Sequence, residues 1–199
     1  MAMRWVPVDD TPTGERAVPQ LRAAVAADVP AIERLIARSL AGLSAGHYDW
    51  RVIRAARGRI LGVDRLLVQE GTYYVAEAAG RIVGAGGWSG SGRLFGTDHS
   101  DVALQELSDE EQKTAVIRAF FVDPDWARRG IGRMLLVRCE GEARRAGYRR
   151  LVLVALLSGV ELFRRMGFAP VKPETLALPG GLQMDVLHMT KRIAMTSSA

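Results

Sequence analysis

The chain has 199 residues, 48% of them apolar and 25% charged, a size and mix that fit one globular core and exclude wholesale disorder. Its longest apolar run, Leu151 to Leu157, is far short of the ~20 residues that cross a bilayer. No charged-then-apolar leader follows Met1 and the lone Cys139 has no partner for an internal disulfide, so a soluble cytoplasmic protein is expected. The formal charge is +5, with 24 Arg against 3 Lys, a balance that suits nucleic acid, anionic lipid or a phosphate-bearing small molecule and does not choose among them.

Met1 to Gln20 carries Pro7, Pro12, Pro19 and Gly14 without periodicity and reads as a loose lead-in. Residues 21–192 read as a single domain and 193–199 as a tail. Leu21 to Val25 suits a first strand. Asp28 is placed to cap a helix whose Ile32, Leu35, Ile36 and Leu40 recur at helical spacing, and a second helix is expected over Asp49 to Leu61, ended by Gly62. Thr72 to Ala78 and Arg81 to Trp88 flank Ala79-Gly80, a hairpin signal. Ser89 to Ser108 reads as a long loop, and Ser108 to Glu111 has the S-x-x-E form of a capping box. Ala115 to Val122 is strand-like and Asp123-Pro124 stops it. Ile131 to Ala146 has helical spacing closed by Gly147, and Leu151 to Leu156 is a buried strand. Ser158 and Glu161 form a second S-x-x-E pair before a short helix that Gly167 closes. Phe168 to Val171 and Met184 to Thr190 suggest a last strand pair around Pro179-Gly180-Gly181. The order is that of a mixed α/β layer fold.

The most informative stretch runs from Val122 through Asp123-Pro124, Trp126-Ala127-Arg128-Arg129 and Gly130-Ile131-Gly132-Arg133 to Met134-Leu135-Leu136. It reads strand, stop, basic turn, two glycines one residue apart, then an amphipathic helix. The first N–H groups of a helix lack intrahelical partners and carry the positive end of its dipole, so such a turn cradles an anion. Gly130 and Gly132 have no Cβ to hold a phosphate oxygen off the backbone, and Arg128, Arg129 and Arg133 add charge. A Walker loop requires a Gly-Lys-Ser/Thr that is absent. A dinucleotide fingerprint requires a third small residue where Leu135 stands, and an acidic residue near Ala155 and Leu156.

The turn resembles the acyl-CoA-binding motif of the GNAT superfamily of N-acetyltransferases, Gln/Arg-x-x-Gly-x-Gly/Ala. Gly130 and Gly132 match it, and Ala127 stands where Gln or Arg is usual. A strand (Leu151 to Ala155) and a short helix ending in Gly167-Phe168 resemble that family's second motif. The resemblance implies a mixed, mostly antiparallel sheet of six or seven strands between helices, with the fourth (Ala115 to Val122) splayed from the fifth. It implies acetyl-CoA as co-substrate and an amine as acceptor. The backbones of Phe121 and Val122 would meet pantetheine, the amides of Arg128, Arg129, Gly130, Ile131, Gly132 and Arg133 would meet pyrophosphate, and Phe163 would lie beside the thioester sulfur.

Two departures leave the catalytic residues unassigned. Many relatives carry a Tyr general acid where this chain has Phe163, and Leu156 replaces an Asn. Tyr73, Tyr74 or water are the substitutes on offer, and a thiol of pKa roughly 8.5 leaves adequately unprotonated. The base that relatives place on the fourth strand is missing too. Asp98, His99, Asp101, Asp109, Glu110 and Glu111 in the preceding loop are alternatives. Arg118 either pairs with a core carboxylate or faces the cleft toward an acidic part of the acceptor. Gly84, Gly86 and Gly87 before Trp88 mark either an acceptor wall or a bulge beside a core Trp, and Cys139 reads as a core residue. No cluster has metal-ligand spacing. The leading expectation is an N-acetyltransferase, monomer or homodimer, without a nucleic-acid or membrane partner. The alternative is a CoA-binding sensor that has lost turnover. Arg144, Arg145, Arg149 and Arg150 make a basic helix end, with only Tyr148 beside them to stack on a base.

Overall fold

The computed structural model describes residues 18–90 and 113–194; the loop carboxylates from Asp98 to Glu111, His99 and the Ser108 box lie outside them. Strand β1 (Gln20–Ala23) leads into helix α1 (Val29–Leu43), whose Ile32, Leu35, Ile36 and Leu40 are all buried. The next helix, α2 (Trp50–Ala56), begins as expected, with the Asp49 carboxylate accepting from the Arg51 amide at 2.8 Å. It stops well before Leu61, because Gly58 takes a left-handed turn at φ 77°. A short helix α3 (Arg65–Gln69), capped by Asp64, was not evident in the sequence.

Strands β2 (Tyr73–Ala78) and β3 (Arg81–Ser89) form the expected hairpin. Ala79 and Gly80 both have positive φ, 50° and 67°, the turn whose twist matches that of paired strands. Strand β4 (Thr114–Val122) and helix α4 (Ile131–Arg145) flank the basic turn. Strand β5 (Arg150–Leu156), helix α5 (Val160–Arg165) and the hairpin of β6 (Ala169–Ala177) with β7 (Gln183–Arg192) complete the chain. The last hairpin is longer than its apolar residues alone suggested. The Ser158–Glu161 box does not form: Gly159 precedes α5, Glu161 pairs with Arg165 at 2.7 Å, and the Ser158 hydroxyl turns to Ser44.

The seven strands make one sheet in the order β1-β2-β3-β4-β5-β7-β6. All pairs are antiparallel except β4 with β5. One core fills the face covered by α4 and α5, around Leu135, Leu136, Leu153 and Phe163. The other fills the face covered by α1, α2 and α3, around Ile32, Leu40, Leu67, Phe121 and Met184. Each helix thus buries one apolar stripe on the sheet, the three-layer solution for strands apolar on both sides.

Candidate active site

Strands β4 and β5 pair only at Thr114–Arg150, Ala115–Leu151 and Val116–Val152. Beyond those rungs β5 stays with β7 as far as Leu156, while β4 stays with β3 as far as Val122. The cause is a bulge. Between Ala85–Phe121 and Gly87–Arg118, Gly86 faces two residues of β4, Ala119 and Phe120, and Ala119 takes a left-handed φ of 53°. The Phe120 ring folds over Gly86, where a Cβ would come within 2.5 Å of it. The Tyr73 hydroxyl pins the bulge by donating to the Ala119 carbonyl at 2.9 Å.

The strands therefore diverge around a cleft of about 470 Å³ that passes through the sheet. On the α4 face it is lined by Phe163 and by the basic turn. On the α1 face it is lined by Leu40, Leu43, Ile60, Leu61, Leu176 and Met184. The turn itself carries two left-handed residues, Arg128 at φ 63° and Gly130 at φ 84°. A non-glycine held at positive φ is strained, and here it bends the chain toward the mouth of the cleft. The first bond within α4 is from the Met134 amide to the Gly130 carbonyl, at 2.9 Å, so the Ile131, Gly132 and Arg133 amides before it have no carbonyl inside the helix. The backbone of this turn thus fits an anionic group.

Helix α1 fixes the segment in front of the turn. Arg38 donates to the buried Asp123 carboxylate at 2.9 Å and to Asp125 at 2.8 Å. Gly42 packs so tightly on Pro124 that a Cβ would sit 2.4 Å from its ring. The Asp123 carboxyl is held below the usual carboxylate range, mainly by the Arg38 hydrogen bond. The Asp123 amide donates to Val83 of β3, so by strand alternation the Val122 amide points the other way, into the cleft. There, among the described residues, it meets the Ser39 hydroxyl, at a long 3.4 Å.

The model of the acetyltransferase (GNAT) family matches residues 42–168, nearly two thirds of the chain. The chain belongs to the acetyltransferase (GNAT) family. No curated protein matches it significantly in sequence. Among solved structures, it is similar to the GCN5-related N-acetyltransferase of Rhodopseudomonas palustris, with 20% identity, 89% of this chain and 97% of that chain covered, and a TM-score of 0.64. It is also similar to YncA of Salmonella typhimurium, solved with its cofactor acetyl-CoA, with 20% identity, 90% and 96% coverage and a TM-score of 0.59. The PaiA N-acetyltransferase of Thermoplasma acidophilum, solved with coenzyme A, gives 13%, 88%, 99% and 0.59. At such identities the likeness is one of fold.

The cleft gathers most of the residues singled out in the sequence: Phe121, Val122, Arg128, Gly130, Ile131, Gly132, Arg133 and Phe163 all line it. Arg129 does not; its guanidinium stacks over the Trp126 ring at 5.0 Å. The two glycines also differ in purpose. A Cβ on Gly130 meets nothing within 4 Å, so that site needs glycine for its backbone angle, whereas a Cβ on Gly132 would come 2.7 Å from Leu162. Gly132 lets α4 approach α5 closely.

Neither tyrosine offered as a stand-in acid lines the cleft. Tyr73 is fully buried on the Ala119 carbonyl and burial pushes its hydroxyl pKa up. Tyr74 is buried under the Arg138 guanidinium. Trp88 is a core residue, its ring edge-on to Tyr148 at 5.7 Å, and burial makes the Cys139 thiol a poor nucleophile by raising its pKa. Of the two readings for Arg118, pairing with a core carboxylate is the observed one: Asp64 lies 2.7 Å away and the two side chains are 2% and 5% exposed. Sequence reasoning missed Ser44 and read Ser158 only as a helix cap; their hydroxyls meet at 3.2 Å beside the cleft. It also missed Arg38, Ser39 and Asp64, since none stands in a recognisable local pattern. Among the described residues there is no group of three His, Cys, Asp or Glu suited to a metal ion, and no helix is long and apolar enough to cross a membrane.

Proposed function

We propose that the chain is an acetyl-CoA-dependent N-acetyltransferase acting on a primary amine of a small molecule or protein. The supporting observation is the wedge between β4 and β5, which opens beyond Val116 and Val152 directly beside the basic turn at the start of α4. In this reading the Arg128–Arg133 backbone and the Arg128 and Arg133 side chains hold the pyrophosphate. The exposed edge of Phe121 and Val122 pairs with the pantetheine amides as an added strand would. Phe163, packed edge-on between Phe120 and Phe168 at 6.0 and 5.8 Å, walls the sulfur in a dry site.

The reaction is attack of an uncharged amine on the thioester carbonyl, with CoA leaving as a thiolate and the proton lost by the nitrogen passing to water or to that thiolate. The Val122 amide, weakly engaged by Ser39, is the donor best aimed at the developing oxyanion. Phe163 has no proton to give, so departure relies on the thiol's own acidity. The lone, buried Cys139 is consistent with a cytoplasmic protein.

Calorimetry with acetyl-CoA and a thiol-release assay over a panel of amines test the reading together. Binding and amine-dependent CoA release are expected. Absence of acetyl-CoA binding overturns it. A second reading, a CoA sensor without turnover, is favoured by Phe163 and by Glu161 being the one carboxylate among the described cleft residues, already paired with Arg165. Binding without release from any amine selects that reading.

A further inference from the structure

We infer that Tyr73 is a positioning residue of the donor site: through the Ala119 carbonyl it holds β4 in the bent form that keeps the cleft open. This rests on the acyl-transfer reading above and deepens it. Side chains of a regular strand alternate between the two faces of its sheet. In β4, Ile117 belongs to the core beneath α4, and Arg118 turns to the α1 face, where Asp64 meets it at 2.7 Å. Alternation would return Ala119 to the α4 face. Instead it follows Arg118 onto the α1 core, after which Phe120 and Val122 pack on the α4 side and Phe121 on the α1 side. One residue has been added to the strand, and every side chain after it has changed faces.

The added residue is unfavourable by itself. Ala119 sits at φ 53°, an angle that an L-residue other than glycine adopts at a cost, so neighbouring strands must hold it there. Two glycines of β3 make the room. A Cβ on Gly86 would stand 2.5 Å from the Phe120 ring on one face, and a Cβ on Gly87 would stand 2.7 Å from the Tyr73 ring on the other. Tyr73, fully buried beneath Gly87, supplies the hold by donating to the Ala119 carbonyl at 2.9 Å. Burial raises the pKa of that hydroxyl and so keeps its proton in place. Ala119, Phe120, Phe121 and Val122 all line the cleft, whereas Tyr73 does not, so the tyrosine acts on the donor through the strand. Without the pin, a buried carbonyl loses a partner and β4 relaxes toward regular pairing. The fraction of molecules with an open wedge then falls, and the apparent affinity falls with it.

The test is a double-variant cycle in the full chain, read by calorimetry with acetyl-CoA and by melting temperature. Tyr73→Phe is expected to weaken acetyl-CoA binding about tenfold. Ala119→Gly alone is expected to leave affinity unchanged, because glycine takes the left-handed angle without strain. Added to Tyr73→Phe, it is expected to bring affinity back to within about threefold of the natural protein. A Tyr73→Phe protein that melts lower but binds acetyl-CoA as tightly has lost only a structural contact, and overturns the inference. A loss that Ala119→Gly fails to repair also overturns it, since the tyrosine then acts by another route. Where Tyr73→Phe does not fold, the double variant decides alone: affinity close to natural upholds the inference, and a loss of about tenfold sinks it. Failure of the natural protein to bind acetyl-CoA removes the acyl-transfer reading and the inference together, whereas the two overturning results above remove the inference alone.

Discussion

A single backbone angle or one buried contact decides several features of this site. Gly130 is held at φ 84° with open space where a Cβ would be, so Gly130→Ala is expected to cost about 1–2 kcal/mol of stability from the left-handed strain alone, read as a lower melting temperature. Gly132→Glu should act differently, because it drives a side chain into Leu162: acetyl-CoA binding is lost and the fold is weakened by about 1–3 kcal/mol from overpacking. Arg118 and Asp64 are 54 residues apart in sequence and meet in the core. Removing one charge by Arg118→Met leaves the other buried and unpaired, an expected loss of about 3–5 kcal/mol in urea unfolding. The double variant Arg118→Met with Asp64→Asn, which removes the charge and keeps an oxygen for the Leu67 amide, should recover part of that loss. None of this pairing is visible in the local sequence, where Arg118 sits in an apolar strand and Asp64 stands in no recognisable pattern.

At the scale of elements, the segment Asp123–Trp126 is where α1, β4 and α4 are brought into register. The Asp123 carboxylate accepts from Arg38 and from the Asp125 amide at 3.0 Å. Asp123→Ala removes a cap and a cross-element tie together, costing about 1–2 kcal/mol and weakening acetyl-CoA binding in calorimetry. The pH dependence has a definite sign. Arg38 lowers the folded pKa of Asp123 and Arg22 lowers that of Asp28, so their stabilisation is complete above about pH 4 and disappears as pH falls through the folded values. Melting temperatures between pH 2 and 5 should therefore fall less steeply in Asp123→Asn than in the natural protein. The turn and helix that hold the anion were legible because glycine, proline and arginine act locally there. The hairpin at Ala79-Gly80 was legible for the same reason. The bulge at Ala119–Phe120 was not, since nothing in Thr114–Val122 marks a residue for positive φ; it follows from Tyr73 and Gly86 on neighbouring strands. Helix α3 was also missed, being five residues whose order depends on Asp64.

Considered as a whole, the molecule carries a net charge of +5 and lines the α4 mouth of its cleft with Arg128 and Arg133. Association with a polyanionic donor should weaken with salt, because screening shortens from about 10 Å at 0.1 M to about 3 Å at 1 M; the dissociation constant for acetyl-CoA should rise across that range.

The three rungs joining β4 to β5 have a mechanical meaning as well. They are a narrow seam between a four-stranded and a three-stranded leaf, and everything past Val116 on that seam is an interrupted ladder with open hydrogen-bonding edges. A donor arm threaded there would act as mortar between the leaves, so the protein should grow sturdier in step with its supply of acetyl-CoA. At a hundred times the dissociation constant the gain is about 2.7 kcal/mol, enough to let a melting curve serve as a gauge of occupancy.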